Sequence, residues 1–137
     1  MEEDIRRTIA RYCMLCDDGR WDEWGDLFTE DARFHVMGTT KVGRADIQEF
    51  ISSSMPPEVR GRHVCANCLI SVDSWNGTAK VWTDFVFVDK AGAITSNGRY
   101  HDEMVRGEDK VWRFALREIA FVGEQPTIAV PPPAVDE

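Results

Sequence analysis

The sequence predicts an α+β fold in which a mostly antiparallel, curved sheet wraps around three helices of the N-terminal half. Three observations lead there. Helical periodicity is confined to the chain up to Met55. From Arg62 onward apolar and polar residues alternate in strand-length runs. Those runs are separated by turn signals at Asn76-Gly77, Lys90-Ala91-Gly92 and Gly107–Lys110. Strands joined by short turns pair as antiparallel hairpins, and helices that precede them gather on one side of the sheet.

The elements follow in order. Residues 4–17 read as a helix, with Ile5, Ile9, Tyr12 and Cys16 on one face, Arg6, Arg7 and Arg11 elsewhere, and Gly19 as its stop. Trp21, Trp24, Leu27 and Phe28 mark a short second helix, and residues 31–37 a strand. A third helix runs from Arg44 to Met55, with Ile47, Phe50 and Ile51 on one face and Pro56-Pro57 behind it. Strands are expected at 62–73, 78–89, 94–106 and 111–122, giving the order α-α-β-α-β-β-β-β. A twisted sheet of this length can curl and leave a pocket against the helices. With no repeat or linker visible, residues 1–125 form one domain and 126–137 a tail. Pro131-Pro132-Pro133 keeps that tail out of any central strand, as either a loose terminus or a strap over a neighbouring subunit.

Composition narrows the function classes. Of 137 residues, 43% are apolar and 29% charged, a globular balance that needs no disulfide or metal staple at this length. Lys and Arg number 16 against 24 Asp and Glu, a net charge of −8, which disfavours nucleic acid and anionic membrane as partners. No apolar run reaches the roughly 20 residues of a membrane span. The acidic start Met1-Glu2-Glu3-Asp4, with no apolar segment behind it, is unlike a targeting peptide, so a cytoplasmic location is expected.

The four cysteines form two Cys-x-x-Cys pairs, Cys13/Cys16 and Cys65/Cys68. They lie too far apart for a zinc ribbon. One pair falls in a helical pattern and the other in a strand, where positions three apart face opposite ways. Small buried thiols, with neither a metal nor a disulfide framework, are expected.

Among His35, His63 and His101, His63 has the most suggestive surroundings. In the strand Arg62-His63-Val64-Cys65-Ala66-Asn67-Cys68-Leu69, period two places His63, Cys65, Asn67 and Leu69 on one face. Val64, Ala66, Cys68 and Ile70 form an apolar back, so the first face reads as a pocket wall, although a satisfied structural histidine fits the spacing as well. Asp17 stands at the C-terminal end of the first helix, where the helix dipole disfavours a negative charge unless a donor meets it. Facing the pocket, Asp17 would accept the Nδ1 proton of His63 and leave Nε2 as a base. No phosphate loop, nucleophile elbow or metal-spaced cluster competes with this pair.

Arg11-Tyr12, Asp17, Trp21-Asp22 and Leu27-Phe28-Thr29-Glu30-Asp31-Ala32 are followed in order by Arg62-His63, Asn67, Gly98-Arg99-Tyr100-His101-Asp102 and Val111-Trp112-Arg113-Phe114. Together these resemble the SnoaL-like group of the nuclear transport factor 2-like superfamily, over roughly residues 4–122. The pattern is most similar to scytalone dehydratase, bile acid 7-alpha-dehydratase and hexachlorocyclohexane dehydrochlorinase. The resemblance implies a cone-shaped, cystatin-like α+β barrel that acts without metal or organic cofactor and forms dimers or trimers. It implies an Asp–His dyad of Asp17 and His63, with Tyr12 as a further catalytic residue that holds or protonates a leaving oxygen. Two of the dehydratases carry a tyrosine on the first strand where this chain has Val36. A substrate donor is therefore expected from Tyr100, together with Asp102. Asn67 would orient the substrate, and Phe34, Val36, Phe85 and Phe87 would line the pocket. The activity implied is proton abstraction from a small hydrophobic carbonyl compound, such as a polyketide, steroid or aromatic metabolite, by a lyase or isomerase. The alternative is a non-catalytic ligand-binding or subunit-pairing domain of the same fold. The retained Asp17 and His63 favour catalysis.

Overall fold

A computed structural model of the chain describes residues 1–128. Helix α1 (Glu2–Asp18) opens with Glu2, Glu3 and Asp4, whose charges suit the positive end of the helix dipole. It buries the stripe Ile5, Ile9, Tyr12, Cys13 and Cys16. Gly19, at φ 69°, ends it: the Gly19 N–H reaches the Cys16 carbonyl and the Arg20 N–H the Leu15 carbonyl. That left-handed backbone is one glycine adopts without a Cβ clash. Helix α2 (Trp21–Gly25) is a short turn.

Strand β1 (Phe28–Val36) starts earlier than the sequence suggests. Phe28, at helical spacing after Trp24, is instead the first strand residue, paired with Phe114 of the last strand. Tertiary pairing overrides local periodicity at this position. A turn at Met37-Gly38, both with positive φ, leads into β2 (Thr39–Val42). The sequence reading omits β2, because Thr39-Thr40-Lys41 carries no apolar alternation and the strand is a largely exposed edge. Helix α3 (Arg44–Ser54) and a 3₁₀ turn at Pro57–Val59 follow. Strands β3 (Arg62–Asp73), β4 (Thr78–Val88), β5 (Ile94–Arg106) and β6 (Trp112–Phe121) lie within a residue of their expected limits.

The six strands form one sheet in the order β2-β1-β6-β5-β4-β3. Every pairing is antiparallel except β1 with β6. Bulges in β3, β5 and β6 bend the sheet. Its inner face contributes Phe34, Val81, Phe85, Tyr100, Met104 and Phe114 to a core shared with Ile5, Ile9, Tyr12, Trp24 and Ile47 of the helices. This is the expected α+β architecture, with helices on one side of a curved sheet. No helix among the described residues is long and apolar enough to cross a membrane.

The bulge in β3 corrects the face assignment. Cys65 pairs with Phe85 and Cys68 with Thr83, so Ala66 and Asn67 together stand opposite Asp84. The extra residue switches the inward set from His63 and Cys65 to Cys68, Ile70 and Val72. Val64 and Leu69 point outward, both about half exposed. Cys65 and Cys68 therefore share a face, contrary to the regular-strand argument.

Of the tail expected over 126–137, only its first residues are described. Thr127 and Ile128 donate their backbone N–H groups to the Glu118 carboxylate of the same chain at 2.8 and 3.0 Å. Pro131-Pro132-Pro133 lies outside the described residues.

Candidate functional site

Asp17 is brought to the start of β3 because α1 lies across that strand and ends immediately afterwards at Gly19. β3 is an edge strand, so N–H groups pointing away from β4 need partners outside the sheet. The N–H of His63 finds one in the Asp17 carboxylate, at 3.0 Å to Oδ2 and 3.2 Å to Oδ1. Gly61 sets the approach: a Cβ there would collide with the Val88 carbonyl oxygen, so a side chain would push β3 off β4 two residues before His63.

The His63 imidazole meets the same carboxylate, with Nδ1 2.6 Å from Oδ1. Both side chains are well buried, 14% exposed for His63 and 3% for Asp17. An ionised carboxylate only accepts, so Nδ1 carries the proton and Nε2 of the neutral ring is a lone-pair base. The ring packs edge-on against Phe87, with centroids 4.7 Å apart. The two donors also answer the electrostatic problem of a carboxylate at a helix C-terminus.

His63 opens onto a cavity of about 360 Å³ between the sheet and the helices. Helix α1 supplies Tyr12 and Cys16, helix α3 supplies Phe50, Ile51 and Ser54, and the sheet supplies Val36, Phe85, Phe87, Ser96, Tyr100, Ile119 and Phe121. Met37 and Met55 complete the lining. The wall is mainly apolar, with the polar groups of Tyr12, Tyr100, His63 and two serines set into it.

Tyr12 and Tyr100 form one unit, with ring centroids 5.6 Å apart. Burial raises both phenols well above the usual value near 10, so they are neutral O–H donors at ordinary pH. Neither hydroxyl has a hydrogen-bond partner among the described residues. Behind them lies Arg117, fully buried, its guanidinium 3.7 Å from the Tyr100 ring and 4.2 Å from the rings of Tyr12 and Phe114. Its Nε and Nη2 donate to the two oxygens of Asp102 at 2.8 and 2.9 Å. Burial holds the Asp102 carboxyl above its ordinary value, against the smaller downward pull of the adjacent Arg117 cation and its hydrogen bonds. Arg117 escaped the sequence reading. Its signal was its register: a cation in line with inward Ile119 and Phe121, opposite an acid in line with Tyr100.

Three residues expected at the pocket lie elsewhere. Asn67 is exposed within the bulge and donates to Asp84 at 3.1 Å. Asp102 is held beneath the tyrosines by Arg117 rather than offered to a ligand. Phe34 is fully buried in the core, packed against Phe28 with centroids 6.0 Å apart. Tyr12, Val36, Phe85, Phe87 and Tyr100 do line the cavity. Among the described residues no three His, Cys, Asp or Glu side chains converge as a metal site would need.

No curated protein matches the chain significantly in sequence. Among solved structures it is similar to a protein of unknown function from Mycobacterium tuberculosis, at 29% identity over 86% of this chain and 69% of that one, with a TM-score of 0.77. It is also similar to an NTF2-like protein with a cystatin-like fold from Novosphingobium aromaticivorans, at 25% identity, 89% and 82% coverage and a TM-score of 0.78. A protein from the same organism, provisionally assigned as a scytalone dehydratase, shares the fold at 21% identity, 99% and 95% coverage and a TM-score of 0.76. The sequence pattern of the SnoaL-like domain matches residues 1–118, and with the fold in agreement the chain belongs to the SnoaL-like domain family.

Proposed function

We propose that the chain is a cofactor-independent lyase or isomerase that removes a proton next to the carbonyl of a small hydrophobic compound. The observation that carries this reading is the 2.6 Å contact between His63 Nδ1 and Asp17 Oδ1 at the wall of an apolar cavity. Asp17 orients the ring and stabilises the imidazolium that forms, and Nε2 takes the proton. The electron pair left on carbon moves toward the carbonyl oxygen, which accepts a hydrogen bond from Tyr100. In an elimination, the enolate re-forms its carbonyl and expels a β-hydroxyl as water, protonated by Tyr12. The imidazolium proton then restores Tyr12. In an isomerisation, His63 returns its proton to a different carbon. Arg117 stabilises negative charge through the phenols it packs against. Val36, the β1 residue at the cavity, offers no hydrogen-bond donor, so Tyr100 supplies one instead.

The scytalone dehydratase assignment of a structural neighbour agrees with this reading at the level of the fold. The test incubates the protein in heavy water with a panel of bicyclic and tricyclic β-hydroxy ketones. Deuterium incorporation at the α-carbon and appearance of the conjugated enone are followed. Turnover of at least one member, abolished in a folded His63→Ala variant, supports the proposal. Turnover that survives His63→Ala contradicts it. Tight binding of panel members without exchange favours the binding-domain alternative.

A further inference from the structure

Cys13 on the inner face of α1 and Cys65 on the inner face of β3 bring their sulfurs to 3.4 Å, with one thiol donating to the other. Both are free thiols. A disulfide of about 2.05 Å requires these sulfurs to close by roughly 1.4 Å. Cys13 lies one helical turn before Asp17, and Cys65 lies two residues after His63. We propose that Cys13 and Cys65 are a modification site, oxidised by a hydroperoxide to a reversible intramolecular disulfide that links α1 to β3.

The surroundings divide the roles. The hydrogen bond from Cys13 holds the Cys65 thiol below its ordinary value against the opposing effect of burial, and the Arg117 cation acts in the same direction. That same bond, together with burial, pushes Cys13 far up. Cys65 is also the more accessible of the two. Cys65 is thus the nucleophile and Cys13 the resolving thiol. Cys16 is pushed up to about 12, chiefly by burial, and Cys68 is raised by burial and lies 3.5 Å from the Thr83 hydroxyl. Neither has a sulfur partner among the described residues.

In the first step the Cys65 thiolate attacks a peroxide oxygen. An S–O bond forms, the O–O bond breaks, and the departing oxygen is protonated to water or alcohol. Cys65 becomes a sulfenic acid. The Cys13 sulfur then attacks the Cys65 sulfur, the S–S bond forms, the S–O bond breaks, and the hydroxyl leaves as water with the Cys13 proton. Two thiols lose two electrons, and the peroxide gains them.

The experiment treats the reduced full-length protein with hydrogen peroxide and reads free thiols and the non-reducing peptide map by mass spectrometry. The expected result is a fall from four free thiols to two, a single Cys13–Cys65 linked peptide pair in monomeric chain, and full recovery with dithiothreitol. In Cys13→Ser, Cys65 should stop at a sulfenic acid that a cyclic 1,3-diketone traps. Linkage through Cys16 or Cys68, cross-links only between chains, or overoxidation of Cys65 without linkage would overturn the proposal. The wild-type map decides even if a variant fails to fold. No activity readout is involved, so this result is independent of the dyad's function.

Discussion

Asp17 grips His63 at two points, accepting the backbone N–H at 3.0 Å and standing 2.6 Å from Nδ1 of the ring. The backbone contact fixes the carboxylate against the first residues of β3, so the ring meets an acceptor already in place. This arrangement is preorganisation in its simplest form: the orienting group is held by an interaction that does not change when the base is protonated.

The tautomer is the first consequence. With three histidines in the chain, nitrogen-15 NMR can resolve each ring. The neutral His63 ring should show a protonated Nδ1 and a bare Nε2. In Asp17→Asn the amide can donate to Nδ1, and the opposite tautomer should gain population. Nε2 protonation in the wild type would contradict the assignment.

The tyrosines supply a pH prediction. The chain has two, Tyr12 and Tyr100, and burial raises both in the folded state. Unfolded, they ionise near 10. Between that value and their folded values the native state binds more protons, so stability is complete below about pH 10 and falls as pH rises further. Tyrosinate absorbance should be absent from the native protein at about pH 11 and appear with two equivalents on unfolding in urea. Native absorbance at that pH would place at least one phenol in water.

Arg117 and Asp102, both without exposed surface, predict an asymmetry in stability. Arg117→Met leaves the Asp102 carboxylate buried alone and should cost about 3–5 kcal/mol in urea unfolding. The double variant Arg117→Met with Asp102→Leu should recover much of that loss. Additive losses would show that the two side chains are not coupled.

The positions of Asn67, Phe34 and Phe87 separate pocket from scaffold. Asn67→Ala should leave both stability and any turnover within about 0.5 kcal/mol of wild type, since the side chain lies outside the cavity. Phe34→Ala should cost roughly 3–5 kcal/mol of stability through the void it leaves. Phe87→Ala, beside the His63 ring, should raise KM for a hydrophobic substrate with a smaller loss of stability. Urea titrations and steady-state kinetics on the three variants check this ordering.

What the sequence made legible follows its physical signals. Period two and Asn76-Gly77 placed β3 and β4 because a half-buried hairpin writes both marks into the chain. Asp17 and His63 were legible because a carboxylate at a helix end and a histidine at a strand start each call for a partner. The exposed edge β2 left no apolar mark. The β3 bulge adds one residue with no glycine or proline to announce it, so it was invisible while reversing the faces of Asn67 and Cys68. The Cys13–Cys65 contact depends on how α1 crosses β3, which no local pattern encodes.

The catalytic claim rests on Asp17 acting through His63, and its neighbour Asp18 provides the control, being exposed and one residue away. The decisive measurement is the rate of α-deuterium exchange into a ketone turned over by the wild type, compared in Asp17→Asn and Asp18→Asn after both are shown to fold. Asp17→Asn should lose on the order of 10⁴-fold, as expected when the orienting carboxylate of a histidine base is replaced by an amide, and Asp18→Asn should stay within about twofold of wild type. Equal rates in Asp17→Asn and wild type would contradict the account.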